Sequence, residues 1–283
     1  MLQSRPVTQP ANLVPDSPFA DEAVEMLRAR GGRAPFADVA AHVLQLHSPD
    51  PATAALLVTE FARGDWRFRF DDSDEHLSLA CEDDELRALG ETEFVVVDVE
   101  TTGSKVPPNR IVEIGAYRVS RGRIVAEFEA LVNPQTRIAP YVSALTGISD
   151  AMVAGAPPFS EIAHELVEFI GSSVLVAHNA AFDVNFINHE VGRVFPGRRL
   201  CNTRLCTVTL SRRVVPALAN HRLHTLAEHF AVPLRNHHRA TDDARATAEV
   251  FIRLLSLLEG HGVRDLAGAR RFRLRSPHAA PAR

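Results

Sequence analysis

FVVVDVETTG, residues 94–103, begins with four apolar residues that read as the inner half of a fully buried strand. Asp98 and Glu100 follow in alternation. Side chains along a strand repeat every second residue, so both carboxylates point to one face. Two anions at one strand end repel each other unless a cation lies between them, and carboxylate oxygens suit Mg2+ or Mn2+. Thr101, Thr102 and Gly103 then turn the chain and leave backbone N–H groups beside the acids. Standing alone, the stretch also reads as a strand that ends in a polar turn. The rest of the chain decides between the two.

At 283 residues the chain can form one large domain or two smaller ones. Its 46% hydrophobic residues suffice for a packed core, and 23% charged residues are ordinary for a soluble protein. The net charge of −4 neither favours nor excludes a nucleic-acid partner, but the charge is unevenly spread. Residues 1–93 carry roughly ten more acidic than basic side chains, 94–260 are near neutral, and the tail after Gly260 is basic by about five. Lys105 is the only lysine, so nearly all the positive charge is arginine, which favours bidentate phosphate contacts. Cys81, Cys201 and Cys206 are odd in number, lack metal-ligand spacing and read as reduced structural thiols. No apolar run approaches the length of a membrane span, and MLQSRPVTQP lacks the apolar core of a signal peptide. A cytoplasmic protein with no membrane partner is expected.

Residues 1–17 are rich in proline and polar side chains and are expected to be disordered. Helices are expected over 21–30, 35–46 and 51–62. Their apolar stripes are Ala23, Val24, Met26 and Leu27, then Phe36, Val39, Val43 and Leu44, then Ala54, Leu57, Val58 and Phe61. Residues 66–70 and 76–80 read as strands joined by the turn DDSD. Three short helices followed by a hairpin resemble a winged helix in element order over 18–81. A winged helix often presents its third helix to DNA. Here that helix carries no Arg or Lys before Arg63, and the turn carries Asp71, Asp72, Asp74 and Glu75, a surface that repels phosphate. A small α+β module that serves as a protein-contact or spacer element is therefore expected, and its partner, a DNA polymerase or another protein, follows only from the family resemblance described below. Residues 82–92 read as an acidic linker.

Beyond the opening strand, 111–119 and 124–132 read as two further strands of an antiparallel meander. Residues 138–154, with LTGIS, read as short helical turns, and 160–170 as an amphipathic helix. A buried strand over 174–177 leads into His178, Asn179 and a helix over 180–191. Phe182 and Phe186 lie on its apolar face, with Asp183 at the edge of that face. By itself Asp183 would be an ordinary first-turn acid. Residues 221–232 read as a helix; His221, His224 and His229 match no zinc spacing and, like His178, read as surface or packing residues. In the segment 236–255, Thr241 is the expected N-cap, and Ala244, Ala248, Phe251, Ile252 and Leu255 form the buried stripe. Asp243 borders that stripe, whereas Asp242 is turned about 100° away. Asp243 is thus the inward carboxylate, and His238, on the loop entering the helix, can reach across the same site.

DVETTG at 98–103, HNAAFD at 178–183 and HRATDD at 238–243 resemble the three exonuclease motifs of the DEDDh family, the family of the proofreading ε subunit of bacterial DNA polymerase III. LVNP at 131–134, LTGIS at 145–149 and HRLHTLAEHF at 221–230 are also similar to that family. The resemblance covers about residues 93–258. It implies an RNase H-like α/β fold over 93–260, with a mixed five-stranded sheet flanked by helices. Residues 261–283 are left as a basic tail, and the N-terminal module is an addition to the family pattern. The resemblance further implies that Asp98, Glu100, Asp183 and Asp243 bind two divalent cations, Mg2+ or Mn2+, and that His238 is the general base. Thr101, Thr102, Asn179 and Phe182 match positions that contact the terminal nucleotide.

The implied activity is a 3′→5′ exonuclease on single-stranded or frayed 3′ ends of DNA, releasing nucleoside 5′-monophosphates in proofreading or repair. The chemistry agrees: a phosphodiester repels hydroxide, so four acids are useful there only with cations. A neutral imidazole suits proton removal near neutral pH. Within the class, a 3′→5′ exoribonuclease is the alternative, since the same site serves RNA. Outside the class, the alternative is a non-catalytic polymerase-accessory or scaffold protein, against which stands the presence of all four acids and the histidine.

Overall fold

The computed structural model describes residues 12–71, 75–80, 86–235 and 237–274, and the chain divides into two units. Leu13–Leu86 form the first together with Phe195–Cys201; Arg87–Val194 and the chain from Asn202 onward form the second. The first unit contains β1 (Leu13–Pro15), α1 (Pro18–Ala29), β2 (Arg33–Pro35), α2 (Phe36–Val43), α3 (Pro51–Ala62), β3 (Phe68–Asp71) and β4 (His76–Leu79). Helix α1 starts where Ser17 accepts a hydrogen bond from the Ala20 N–H and Pro18 supplies a preset φ; it stops at Gly31 and Gly32. Asp50 caps α3 in the same way, bonding the Thr53 N–H at 3.0 Å. Leu27, Val39, Val58 and Leu77 are fully buried between the helices and the antiparallel sheet β2-β4-β3.

The expected order of three helices and a hairpin is present, with β2 added. Residues 13–17, expected to be disordered, instead hold β1 and the cap of α1, because Leu13 and Val14 are buried. The predicted disorder of 1–11, the acids Asp72 and Asp74 of the turn, Cys81 and the acidic run 82–85 lie outside the described residues.

The second unit begins with β5 (Phe94–Thr101), β6 (Ile111–Ser120), β7 (Arg123–Leu131), α4 (Pro140–Thr146), α5 (Asp150–Val153), α6 (Phe159–Ile170), β8 (Val174–Ala177) and α7 (Ala180–Val194). The chain then supplies β9 (Arg198–Leu200), which pairs antiparallel with β1 in the first unit. The second unit resumes with β10 (Arg204–Cys206), α8 (Thr207–Val214), α9 (Leu223–His229), α10 (Ala240–Gly260) and α11 (Leu266–Arg271). Its five-stranded sheet has the order β10-β8-β5-β6-β7, parallel from β10 to β5 and antiparallel from β5 to β7. This is the mixed α/β architecture expected.

Phe94 and Val96 of β5 and Tyr117 and Val119 of β6 pack with α10, and the Phe251 ring meets Phe94 edge-on at 4.9 Å. Asp98 and Glu100 continue the row of Phe94 and Val96, which carries them toward the start of α10. Two expectations change here. Residues 86–92 are not a free linker: Leu89 is buried and its N–H bonds the Arg264 carbonyl at 2.8 Å. The tail begins with α11, whose Leu266 and Ala269 are buried and whose N-cap is Asp265. No helix among the described residues is long and apolar enough to cross a membrane.

Candidate active site

Strand β5 delivers Asp98 and Glu100 to one edge of the sheet's buried face, and the pairing register shifts between Glu100 and Thr101. Such an irregularity ends regular pairing and re-aims side chains. Opposite, on β6, stand Gly115 across from Asp98 and Glu113 across from Glu100. A Cβ at Gly115 would lie 2.4 Å from the Ala240 carbonyl oxygen, so only glycine lets α10 begin this close to the acids. One oxygen each of Asp98, Glu100 and Asp243 then falls within 4.8 Å of the others. Asp183, buried on the first turn of α7, accepts a hydrogen bond from the Val99 N–H at 3.2 Å, which ties its carboxylate to the same strand.

Burial pushes the proton affinity of all four acids up. Asp98 is held well above the ordinary carboxylate range, by burial and then by Asp183, Glu100, Asp243 and Glu113 around it. Burial and the charges of Asp243 and Glu113 bring Glu100 to about 7, with Arg239 opposing. Burial brings Asp183 to about 8 against the pull of the Val99 N–H. Asp243 rises by burial, restrained by the His238 N–H and by His237. Four carboxyls with raised proton affinity and only oxygen donors fit hard divalent cations, whose charge would replace the protons.

His238 lies at φ 68°, a left-handed conformation that a non-glycine residue adopts at some cost. Its backbone N–H donates to Asp243 Oδ2 at 3.0 Å, which fixes the loop against the helix. Burial, then His237, lowers its ring pKa, so the imidazole is neutral at pH 7. The expected Thr241 cap is corrected: α10 starts at Ala240, and the Arg239 side chain makes no cap hydrogen bond. Glu113 does the capping from across the sheet. Its Oε2 accepts the Ala240 N–H at 2.8 Å, and its two oxygens take the Arg239 guanidinium at 2.5–3.1 Å.

The residues expected to contact a nucleotide are arranged less directly. Thr101 Oγ1 donates to the Gly103 carbonyl at 2.7 Å, and Thr102 Oγ1 accepts the Arg110 N–H at 3.0 Å, so both hydroxyls hold the turn itself. Asn179 is exposed at φ 79°. Phe182 is half-buried, its ring 4.8 Å from that of Phe186.

The exonuclease family model (RNase_T) matches residues 95–251, more than half the chain. The chain belongs to the exonuclease family. The ε subunit of DNA polymerase III from Aquifex aeolicus is 37% identical over 180 residues, covering 63% of this chain and 89% of that protein. The PolC-type DNA polymerase III of Caldanaerobacter subterraneus subsp. tengcongensis is 45% identical over 183 residues, covering 65% of this chain but spanning only 13% of the much longer polymerase. Among solved structures, E. coli Exonuclease I in complex with a dT13 oligonucleotide shares the fold, with a TM-score of 0.51 at 17% identity over 60% of this chain and 44% of that one.

Two features of the site escape the sequence reading. His237 bonds Asp243 through Nδ1 at 3.2 Å and stacks on His238 with ring centroids 3.9 Å apart; His237, His238 and Asp243 form a second group able to hold a metal ion. The doublet of histidines was its only signal. Glu113 was hidden between the apolar residues Val112 and Ile114, and as the one acid of its strand it was the signal.

Proposed function

We propose that the chain is a metal-dependent 3′→5′ exonuclease that hydrolyses the terminal phosphodiester of DNA and releases nucleoside 5′-monophosphates, in proofreading or repair. The convergence of Asp98, Glu100 and Asp243, with Asp183 tied to the same strand, carries this reading. These four acids would hold two divalent ions, Mg2+ or Mn2+, as the all-oxygen donor set favours. When bound, such ions neutralise the charge of the phosphate and make water more acidic. The chain's own residues do the rest. His238, neutral at its ring, takes the proton of the attacking water, and Asp243 holds the His238 backbone in place. Asn179 and Phe182 would position the terminal nucleotide, splayed from a single-stranded or frayed end, with Thr101 and Thr102 shaping the turn beside it. The kinship to an ε subunit and to PolC-type polymerases supports work beside a DNA polymerase, docked through the N-terminal unit.

The test is digestion of 5′-labelled single strands, 3′-mismatched duplexes and matching RNA by the purified chain with Mg2+ or Mn2+. A descending ladder on DNA, abolished by EDTA, is expected. Full activity in excess EDTA would falsify the metal dependence, and faster digestion of RNA would move the assignment to an exoribonuclease.

A further inference from the structure

Thr209, Arg212 and Arg213 of α8 and Arg273 and Leu274, beyond the end of α11, line a cavity of about 320 Å3. The two segments are joined by their backbones: the Leu274 N–H donates to the Arg213 carbonyl at 2.9 Å, and the Arg213 guanidinium donates to the Arg270 carbonyl. Among the described residues no carboxylate pairs with Arg212, Arg213 or Arg273. Arg212 and Arg273 are exposed, so an anion entering the cavity meets arginines and no competing carboxylate among the described residues. Guanidinium forks match phosphate oxygens two at a time.

The cavity's place along α8 points to the anion's source. Helix α8 begins at Thr207, whose hydroxyl is 2.9 Å from His178 Nδ1, next to Asn179. With a rise of 1.5 Å per residue, Arg212 lies about 7–8 Å along the axis from Thr207. We infer that this cavity binds backbone phosphates of the nucleic-acid strand that trails away from the 3′ end being cleaved. The inference rests on the nuclease reading above and adds to it a site where long strands gain affinity over short ones.

Anisotropy of labelled short and long single strands, measured in EDTA so that nothing is cleaved, tests it on the full chain. Arg212→Gln/Arg273→Gln should weaken long-strand binding roughly fivefold or more and lower the slope of log K against log salt by about 1.4, about 0.7 for each phosphate left without its arginine. Arg212→Lys/Arg273→Lys should restore most of the salt slope. A wild-type melting temperature excludes misfolding; if the double variant melts early, Arg212→Gln alone should give about half the slope change. A folded variant that binds long strands as wild type does overturns the inference. So does calorimetry in which inorganic phosphate binds wild type and not the variant while strand binding is unaffected. Failure of the two readings is separable: weakened strand binding by the variant of a chain that digests nothing keeps the cavity and removes the nuclease, and normal digestion with unaltered binding does the reverse.

Discussion

Removing an acid and removing the histidine should leave different kinetic traces. Asp98 is flanked by Asp183, Glu100 and Asp243, so Asp98→Ala should abolish turnover and also weaken Mn2+ binding measured by calorimetry. His238→Ala should keep metal binding at the four acids and strand binding, and lower kcat on the order of 10²-fold, the usual loss for a general base. Single-turnover digestion at the wild-type rate by His238→Ala would reassign the base, with Asp242→Ala as the control of small effect. His178 carries a pH dependence of its own. Burial pushes its ring down to about 4 from an ordinary 6.5. Between those values the unfolded chain binds a proton that the folded chain refuses, so this residue makes acidification destabilising from about pH 6.5 down to about 4. Its ring resonances in a two-dimensional NMR titration should therefore stay in the neutral form above about pH 5; titration near 6.5 contradicts the burial of its ring. Asp98, Glu100 and Asp243 were legible because period two and period 3.6 place them. His237 and Glu113 were not, since their meaning lies in contacts made only after folding.

At the scale of elements, the start of α10 is the hinge of the site. Its position depends on Gly115, which leaves room for the Ala240 backbone, and on Glu113, which grips Arg239 and the Ala240 N–H across 126 and 127 residues of sequence. Gly115→Ala must move a backbone and not a side chain, so a loss of about 1–3 kcal/mol is expected, read by thermal or urea unfolding. Its activity should fall further than its stability, because Asp243 and His238 move with α10; an active, wild-type-stable Gly115→Ala would mean the helix has slack. Long periodic elements were legible: α3 and β8 fall on their expected bounds, and β5 on its expected strand. Strands β1, β2, β9 and β10 were not, since three residues carry no period and their existence depends on distant partners.

For the whole molecule, the first unit is made from two parts of the sequence, and a cut at the expected linker would separate them. Residues 195–201 lie inside the range matched by the exonuclease family, yet they belong to the N-terminal unit. There Leu200 is buried, Arg199 pairs with Asp16 and Asp21, and the Arg198 guanidinium donates to the Gly64 carbonyl at 3.1 Å. Asp21 also takes Arg67, which in turn clasps the buried Asp65. A chain begun at residue 87 loses every one of these partners, so trypsin should cut at Arg198 and Arg199 there and leave them intact in the full chain. Equal resistance in both would mean that this segment needs no partner.

The same truncation tests what the first unit contributes to nucleic-acid binding. Affinity for a phosphate backbone comes largely from arginine and lysine displacing counterions. Helix α3, the element a winged helix presents to DNA, has no basic residue of its own; Arg63 just beyond it is paired with Glu60, and Asp71 is paired with Arg33. The slope of log K against log salt for a labelled duplex should therefore be no smaller for the chain begun at residue 87, where Arg198 and Arg199 lose their partners, than for the full chain, and the truncated chain should still digest short oligonucleotides. A slope smaller by about one or more in the truncated chain would place phosphate-binding groups in the first unit and make it a DNA-binding module instead of a protein-docking one.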